Sequence, residues 1–169
     1  MTSQQFLNAV SNGGAEVIEK VLSLLKSSRA EYCIIGGLAV NAYAEPVVSL
    51  DLDIVVVTNE IERFLRKAEG EFKISKFPHS INLSPKKSDL RVQLQIDQRY
   101  QAFIPRAVRK RVLGRQMKVA ALADVLQGKL WAFADEKRRK SKRQKDLADI
   151  YRLVEAHPHL RRKLPKSLQ

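Results

Sequence analysis

The sequence has few of the residues that characterise disulfide-rich, fibrous or membrane-spanning proteins. Its 169 residues include one cysteine, Cys33, with 7 glycines, 6 prolines and 7% aromatic residues. A single cysteine excludes an internal disulfide framework and suits a reducing compartment. The apolar run without a charge between Glu31 and Glu45 has 13 residues and is too short to span a bilayer. The first residues lack the basic start and apolar core of a signal peptide, so we expect a cytoplasmic protein.

Acidic residues are also scarce relative to basic ones. The chain has 31 Lys and Arg against 18 Asp and Glu, which gives a formal net charge of +13. Such a surface attracts polyanions, including nucleoside triphosphates and RNA. Two interpretations remain open at this point: the charge serves to bind anions, or it is ordinary surface charge that maintains solubility.

Hydrophobic periodicity predicts an α/β (α+β) protein, with strands and helices mixed over the first two-thirds and helices at the end. Thr58 is predicted to be the N-cap of the helix that follows it, and the turn-rich segment 79–88 is predicted to be a connection between strands. The predicted helices cover residues 15–26, 38–44, 59–69, 122–134 and 142–155, and the predicted strands cover residues 32–35, 50–57, 72–77, 90–97, 108–113 and 117–119.

Two glycines and two aspartates form the most informative pattern. One predicted strand ends at Gly36 and Gly37, and a later strand opens with Asp51 and Asp53. Side chains alternate along a strand, so both carboxylates point to one face, roughly 7 Å apart. Such carboxylates repel each other and lose hydration when buried, and Mg²⁺ relieves both effects. The glycines let backbone N–H groups approach a phosphate closely. An exposed acidic pair beside a plain tight turn is the alternative.

A Gly-Gly turn followed, after a short helix, by an acidic-x-acidic pair resembles the signature of the DNA polymerase beta-like nucleotidyltransferase superfamily. Gly36, Gly37, Asp51 and Asp53 match that signature. Within the superfamily the chain most resembles the abortive-infection-type (AbiEii-like) toxin nucleotidyltransferases, which carry Thr or Ser two residues before the acidic pair. Ser49 occupies that position.

The C-terminal part of the chain resembles the helical tail of the same toxin group. A Lys and a later Lys-Asp-x-x-Asp recur in that tail, and they match Lys129 and the run of Lys145, Asp146 and Asp149. The resemblance extends over roughly residues 30–155. It implies a short mixed β-sheet nucleotidyltransferase core with flanking helices over residues 1–120, and a C-terminal helical pair over residues 121–169 packed on the same domain.

The resemblance also implies an enzyme that moves a nucleoside monophosphate from a nucleoside triphosphate to an acceptor hydroxyl. Mg²⁺ or Mn²⁺ would be bound by Asp51 and Asp53, which act in catalysis. The implied partners are the nucleoside triphosphate, RNA as an acceptor and an antitoxin protein. We expect no association with a membrane. The residues implied to bind the nucleotide are Gly36, Gly37, Ser49 and Lys129.

Two positions depart from the superfamily's pattern. The third catalytic carboxylate usually stands in the middle of a later strand, where this chain has Gln93 and Gln95, so Asp97 at the strand end is the remaining candidate. Val47 stands where the toxin group often has Arg. These differences favour an alternative, a catalytically silent member that binds nucleotide or RNA as a regulator. A second alternative is a basic nucleic-acid-binding module without a nucleotide site.

Lys129 falls on the apolar stripe of its predicted helix. It is either a lysine with a buried stem and an exposed amine, or one that reaches the phosphates or an active-site aspartate. Asp146 is predicted to pair with Lys129 across two helices, and Asp149 is predicted to face solvent and pair with Lys145. The basic run 137–145 is predicted to be a solvated surface, with RNA binding as the alternative.

Overall fold

A seven-stranded mixed β-sheet forms the centre of the protein. The structure, a computed structural model, describes all 169 residues except the side chain of Ser3. The strands are β1 (Tyr32–Ile35), β2 (Asp51–Val56), β3 (Phe72–Lys76), β4 (Ser80–Pro85), β5 (Arg91–Gln95), β6 (Val108–Val112) and β7 (Arg115–Val119). The helices are α1 (Ser3–Ser11), α2 (Gly14–Ser27), α3 (Gly36–Val40), α4 (Ile61–Ala68), α5 (Leu122–Ala134) and α6 (Lys140–Ala156), and short 3₁₀ helices cover Thr58–Glu60, Gln98–Arg106, Pro158–Lys163 and Lys166–Leu168.

The strand order is β3-β4-β5-β2-β1-β7-β6. Strand β2 is antiparallel to β1 and parallel to β5, and its register pairs Asp51 with Arg91 and Asp53 with Gln93. Strand β4 is antiparallel to β5 and pairs Asn82 with Gln93. Residues that are directly opposite each other on neighbouring strands point to the same face. One face of β2, β5 and β4 therefore carries a continuous row of polar side chains.

The opposite face of these strands is apolar. Side chains alternate along a strand, so the residues between the polar ones point into the core. They belong to one continuous hydrophobic core with the buried faces of α2 and α4. The buried strand residues on this face are Leu52, Ile54, Ile81, Leu83, Val92 and Leu94. Helices α5 and α6 pack against each other and against α3.

The predicted fold class is confirmed, because the chain combines a mixed sheet with flanking helices and a C-terminal helical pair. Strand β1, the β6–β7 hairpin and helix α5 lie where the sequence predicts them. Helix α3 begins at the glycines, two residues earlier than predicted. The division of the chain at residue 120 stays a prediction.

The prediction of a connection over residues 79–88 is wrong, because this segment contains β4. Buried Ile81 and Leu83 alternate with polar Ser80, Asn82 and Ser84, which is the pattern of a half-buried strand. The turn-forming residues hid this pattern. Pro85 is tolerated because it is the last residue of the strand.

Two further differences concern helix starts. Thr58 does not cap α4 with its side chain; it opens a 3₁₀ turn, and its hydroxyl accepts a hydrogen bond from Gln98 at 3.2 Å. Helix α1 was not predicted, although Thr2 and Gln5 form a capping box at its start. Across the described chain, no helix has both the length and the apolar character needed to cross a membrane.

Candidate active site

Gly36 brings the turn after β1 against the carboxylate of Asp53. The backbone of Gly36 has a φ of +70°, in the left-handed region that favours glycine. A Cβ atom at this position would overlap the Asp53 carboxylate and lie 3.0 Å from its Cγ. The sheet register explains this proximity, because Ile35, the preceding residue, pairs with Asp53. The first glycine is therefore required both by its backbone conformation and by the close approach of the aspartate.

Gly37 and Ser49 form the next contact. A Cβ atom on Gly37 would lie 3.0 Å from the Ser49 hydroxyl oxygen. The side chain of Ser49 is buried, and its hydroxyl donates a hydrogen bond to the backbone carbonyl of Asp51 at 3.3 Å. In this arrangement Ser49 connects the glycine turn to the start of β2. Neither Gly37 nor Ser49 lines the cleft that contains the two aspartates.

Asp51 and Asp53 point to the same side of β2, as predicted, but their surroundings differ. Asp51 forms a salt bridge with Arg91 of β5, with Arg91 Nε 2.7 Å from Asp51 Oδ1. Lys142 Nζ of α6 lies 3.9 Å from Asp51 Oδ2. Asp53 has no salt bridge among the described side chains. Burial, with a further contribution from the charge of Asp51, raises the pKa of Asp53 from 3.8 to about 6.

Both aspartates line a cleft of about 140 Å³ between the sheet and the C-terminal helices. Gly36 and Lys129 also line it, so the structure brings four of the predicted site residues together. Arg138 and Lys142 add two cations to the same wall. The positive charges of Lys129, Lys142 and Arg138 lower the pKa of Asp53, but not enough to offset burial and Asp51.

Lys129 is buried between two aspartates of α6. Its Nζ lies 3.1 Å from Asp146 Oδ1 and 2.8 Å from Asp149 Oδ2, although the second contact is not well aligned for a hydrogen bond. Burial alone would lower the pKa of Lys129, but the charges of Asp149 and Asp146 raise it above its usual value. Arg138 Nε donates to Asp146 at 2.7 Å, and Arg152 Nη1 donates to Asp149 at 2.7 Å.

The predicted pairing of Lys129 with Asp146 is therefore confirmed, and the prediction for Asp149 is wrong. Asp149 is buried, with 3% of its surface exposed, and its partners are Lys129 and Arg152 rather than Lys145. Helical spacing alone placed Asp149 at the solvent side. Helix α5 packs against this side of α6 and places the buried Lys129 next to Asp149, so Asp149 is buried.

Asp97 lies outside the cleft. It caps the 3₁₀ helix that follows β5, where its carboxylate accepts a hydrogen bond from the backbone N–H of Arg99 at 3.0 Å. The side chain of Arg99 donates to the same carboxylate at 2.8 Å and holds its pKa below the usual range. Gln93, not Asp97, is the residue of β5 directly opposite Asp53.

Several cleft residues were not predicted from the sequence. Arg138 and Lys142 belong to the basic run 137–145, but both turn towards aspartates instead of solvent. Asp124 of α5 also lines the cleft and forms two hydrogen bonds, both 2.9 Å long, with Arg106. The only sequence signal for Arg138 and Lys142 was their place in a charge run, and a charge run does not reveal which members point inward.

The pair of aspartates fits a divalent cation. Among the residues described, no group of three or more His, Cys, Asp or Glu side chains is arranged to hold a metal ion. Mg²⁺ needs fewer protein ligands, because it is commonly held by one or two carboxylates together with substrate phosphates and water. Burial, and secondly the charge of Asp51, raise the pKa of Asp53, and a cation held by the pair would offset both effects.

The mixed sheet, with a glycine turn facing an acidic pair, defines a fold of the nucleotidyltransferase class. The family model described as "Nucleotidyl transferase AbiEii toxin, Type IV TA system" matches residues 31–168. The chain belongs to this family. A comparison with proteins of curated function finds no match.

Solved structures of similar fold are nucleotidyltransferases of low sequence identity. The antibiotic-resistance factor ANT(2'')-Ia superposes with a TM-score of 0.60 at 12% identity and covers 90% of this chain and 93% of its own. The lincosamide antibiotic adenylyltransferase LnuA has a TM-score of 0.56 at 13% identity, covering 80% and 95%. An antigenic nucleotidyltransferase-like protein from Paracoccidioides brasiliensis has a TM-score of 0.56 at 21% identity, covering 83% and 74%. At these identities the likeness extends to the fold alone.

Proposed function

We propose that this protein transfers a nucleoside monophosphate from a nucleoside triphosphate to an acceptor hydroxyl, and that it depends on Mg²⁺ or Mn²⁺. The observation that carries the proposal is the position of Asp51 and Asp53, which project from one strand into a cleft beside the glycine turn. Three cations, Lys129, Arg138 and Lys142, line the same cleft. Carboxylates that hold a cation, next to fixed positive charges, are the parts that phosphoryl-group chemistry requires.

Each group has a separate task in this reaction. Asp51 and Asp53 hold the divalent cation, which supplies positive charge that stabilises the triphosphate. Arg138 and Lys142 neutralise phosphate oxygens, while Lys129 keeps α5 and α6 together at the rim of the cleft. A cleft of about 140 Å³ is smaller than most ligand pockets, so it would hold the phosphates while the nucleoside extends outside.

The chemical step is a substitution at the α-phosphorus. The acceptor hydroxyl oxygen forms a bond to the α-phosphorus, and the bond between this phosphorus and the oxygen bridging to the β-phosphorus breaks. Pyrophosphate leaves with the electron pair of that bond. The hydroxyl proton is released to water, because both carboxylates are committed to the cation.

The family name adds a biological setting to this proposal. In that setting the protein acts as the toxin of a toxin–antitoxin system and has an antitoxin protein as its partner. A cytoplasmic location is consistent with a nucleoside triphosphate substrate. RNA is a candidate acceptor, supported by the formal net charge of +13.

The test is label transfer from α-³²P-labelled nucleoside triphosphates to RNA, protein and small molecules of a cell extract, with and without Mg²⁺. The Asp51→Ala, Asp53→Ala double variant should lose on the order of 10³-fold in rate, because both ligands of the cation are removed. Glu69→Gln is the matched control, because it removes an exposed carboxylate outside the cleft and the space that adjoins it. Unchanged transfer by the double variant would contradict the proposal.

A catalytically silent nucleotide- or RNA-binding protein is the second candidate. Gln93 stands opposite Asp53 where the superfamily usually has a third carboxylate, and Arg91 already neutralises Asp51. Such a protein would bind triphosphate by calorimetry yet leave no label on any acceptor. RNA affinity that depends steeply on salt and survives loss of both aspartates would instead favour a basic nucleic-acid-binding module.

A further inference from the structure

Strand β6, at one end of the sheet, leaves one of its edges without a partner. It is the last strand in the sheet order and pairs only with β7. Among the residues that the structure describes, no other segment forms a backbone hydrogen bond with it. An open edge presents unpaired N–H and C=O groups that another extended chain can use. Strand β6 is therefore a place where a second polypeptide can add to the sheet.

Two arginines on β6 have no acidic partner. Arg109 and Arg111 are exposed and alternate along the strand, so they point to one face, about 7 Å apart. Neither forms a salt bridge with a described side chain. By contrast Lys118, which is directly opposite Arg109 on β7, is paired with Glu31 at 3.2 Å. This face of β6 is therefore a basic surface whose charge the chain itself does not neutralise.

An apolar groove lies at the end of β6. It has a volume of about 430 Å³, and Leu113, which follows β6 directly, forms part of its wall. No charged side chain lines the groove among the residues described. The groove collects several of the large apolar side chains that the structure leaves exposed, namely Phe6, Val10, Val47 and Val48. Exposed apolar side chains that gather at one place are typical of a protein-binding surface.

The groove is held in shape by contacts within the chain. Phe6 and Val10 come from α1, one helical turn apart, and Val47 and Val48 come from the segment before β2. Asn41 fixes that segment, because its side-chain amide donates to the carbonyl of Val47 at 2.7 Å and accepts from the N–H of Val47 at 3.1 Å. A groove that is already formed costs a partner little conformational entropy to enter.

We propose that an acidic, extended segment of another protein adds to β6 as a further strand and places apolar side chains at its end in this groove. Acidic residues at alternate positions of that segment stand opposite Arg109 and Arg111, because directly opposite residues on neighbouring strands share a face. Backbone hydrogen bonds supply affinity, and the arginines and the groove select the partner. The proposal goes beyond nucleotidyl transfer and does not depend on it.

Charge distinguishes this occupant from two others. A second copy of the chain does not fit, since its β6 would bring the same two arginines, and a formal net charge of +13, against the first. A polynucleotide carries the right charge, but it makes no use of an open strand edge or of an apolar groove. An acidic polypeptide uses all three features, so it is the partner that the surface favours.

Fluorescence anisotropy with a labelled synthetic peptide tests the proposal on the full chain. The peptide alternates glutamate with valine and continues with leucine, isoleucine and phenylalanine. It should bind saturably with a dissociation constant below about 100 μM. The same peptide with N-methylated amides keeps its charges but cannot donate backbone hydrogen bonds, so it should bind at least about tenfold more weakly. Absence of saturable binding, or equal binding of the two peptides, overturns the proposal.

A charge exchange tests the two arginines. Arg109→Glu combined with Arg111→Glu should weaken binding of the acidic peptide at least about tenfold. A peptide with lysine in place of glutamate should bind this variant, which also shows that the variant is folded. Arg161→Glu combined with Arg162→Glu makes the same change of net charge at exposed positions away from β6 and should weaken binding less than about threefold. Equal losses in the two variants would reveal unspecific attraction and overturn the assignment to β6.

Two further measurements test the groove and the class of partner. Phe6→Ala should weaken peptide binding about fivefold, whereas Phe77→Ala, which removes an equally exposed phenylalanine outside the groove, should leave it unchanged. Equal effects would overturn the role of the groove. A single-stranded RNA oligonucleotide is the last probe. RNA that binds more tightly than the acidic peptide, and loses this affinity with Arg109→Glu and Arg111→Glu, would assign the surface to nucleic acid and overturn the proposal.

Discussion

The protein has two close pairs of aspartates, and their electrostatic environments are opposite. Asp146 and Asp149 lie one helical turn apart on α6 and are almost completely buried, at 1% and 3% exposure. Lys129 contacts both, and each has an additional arginine. Asp51 and Asp53 lie two residues apart on β2. Asp51 has Arg91 at its outer side, and Asp53 has no salt bridge among the described residues.

The difference distinguishes a structural cluster from a candidate functional one. Buried charges that are paired and hydrogen-bonded hold two helices in one arrangement. A carboxylate whose pKa is raised by burial and that has no salt bridge is a candidate functional group, since it gains most from a ligand of opposite charge. The pair on α6 is therefore complete within the chain, whereas the pair on β2 leaves Asp53 without a salt bridge, as the proposed cation site requires.

Removal of Lys129 should have the largest effect on stability. Lys129→Met leaves Asp146 and Asp149 buried without their shared cation, and we expect the free energy of unfolding to fall by about 3–5 kcal/mol. Urea denaturation followed by circular dichroism measures the change. Lys145→Met on the exposed side of α6 is the control and should change stability by less than about 0.5 kcal/mol. Equal losses of stability in the two variants would show that Lys129 does not stabilise the buried aspartates of α6.

Substitution of Asp53 should act in the opposite direction. Asp53→Asn should stabilise the metal-free protein at pH 7 by about 1–2 kcal/mol, a partial effect because the carboxylate is partly exposed, while it abolishes label transfer. The native protein holds the Asp53 proton more tightly than the unfolded chain does. Wild-type stability relative to the variant should therefore fall as the pH rises from about 4 to about 6 and then level off.

The control for this pH dependence is Asp97→Asn. Arg99 keeps the pKa of Asp97 below its usual range, so this substitution removes a favourable charge and should not stabilise the protein at pH 7. Melting temperatures of both variants and the wild type between pH 4 and pH 8 give the comparison. Parallel curves for wild type and Asp53→Asn across that range would show that folding does not raise the pKa of Asp53.

Metal removal should lower the stability of the protein only when both aspartates of β2 are present. At ten times its dissociation constant, Mg²⁺ should stabilise the wild type by about 1.4 kcal/mol, and EDTA should reverse the effect. The Asp53→Asn protein should show no shift with either reagent, because one of the two carboxylate ligands is lost. Thermal denaturation with a Mg²⁺ titration measures this, with Ca²⁺-free buffer and NaCl at matched ionic strength as the reference.

Release of Asp51 from Arg91 should give the smallest effect. Arg91 is exposed over 66% of its side chain, so its salt bridge with Asp51 contributes at most about 1 kcal/mol. Arg91→Gln should tighten Mg²⁺ binding about threefold, because the cation no longer competes with the guanidinium group for Asp51. Calorimetry at two salt concentrations checks this, and weaker Mg²⁺ binding in the variant would indicate that Arg91 supports the site instead.

Local pattern was sufficient to predict much of the fold and part of the candidate site. Period-two alternation placed Asp51 and Asp53 on one face of a strand, and the structure puts them there. The stripe on α5 marked Lys129, and the structure confirms its predicted pairing with Asp146 across the two helices. These features depend on residues near one another in the chain, so sequence spacing reports them directly.

Features that depend on distant parts of the chain were not predictable in this way. Asp149 was predicted to face solvent because its helix alone cannot show that α5 supplies a buried lysine. The pairing of Arg91 with Asp51 follows from the parallel register of β5 on β2, which hydrophobic pattern does not specify. The inward turn of Arg138 and Lys142 and the exclusion of Asp97 from the cleft have the same origin. The sequence by itself determined which residues alternate along a strand and which form the apolar stripe of a helix. Only the tertiary structure decided which charges meet, because electrostatic pairing depends on distance in space.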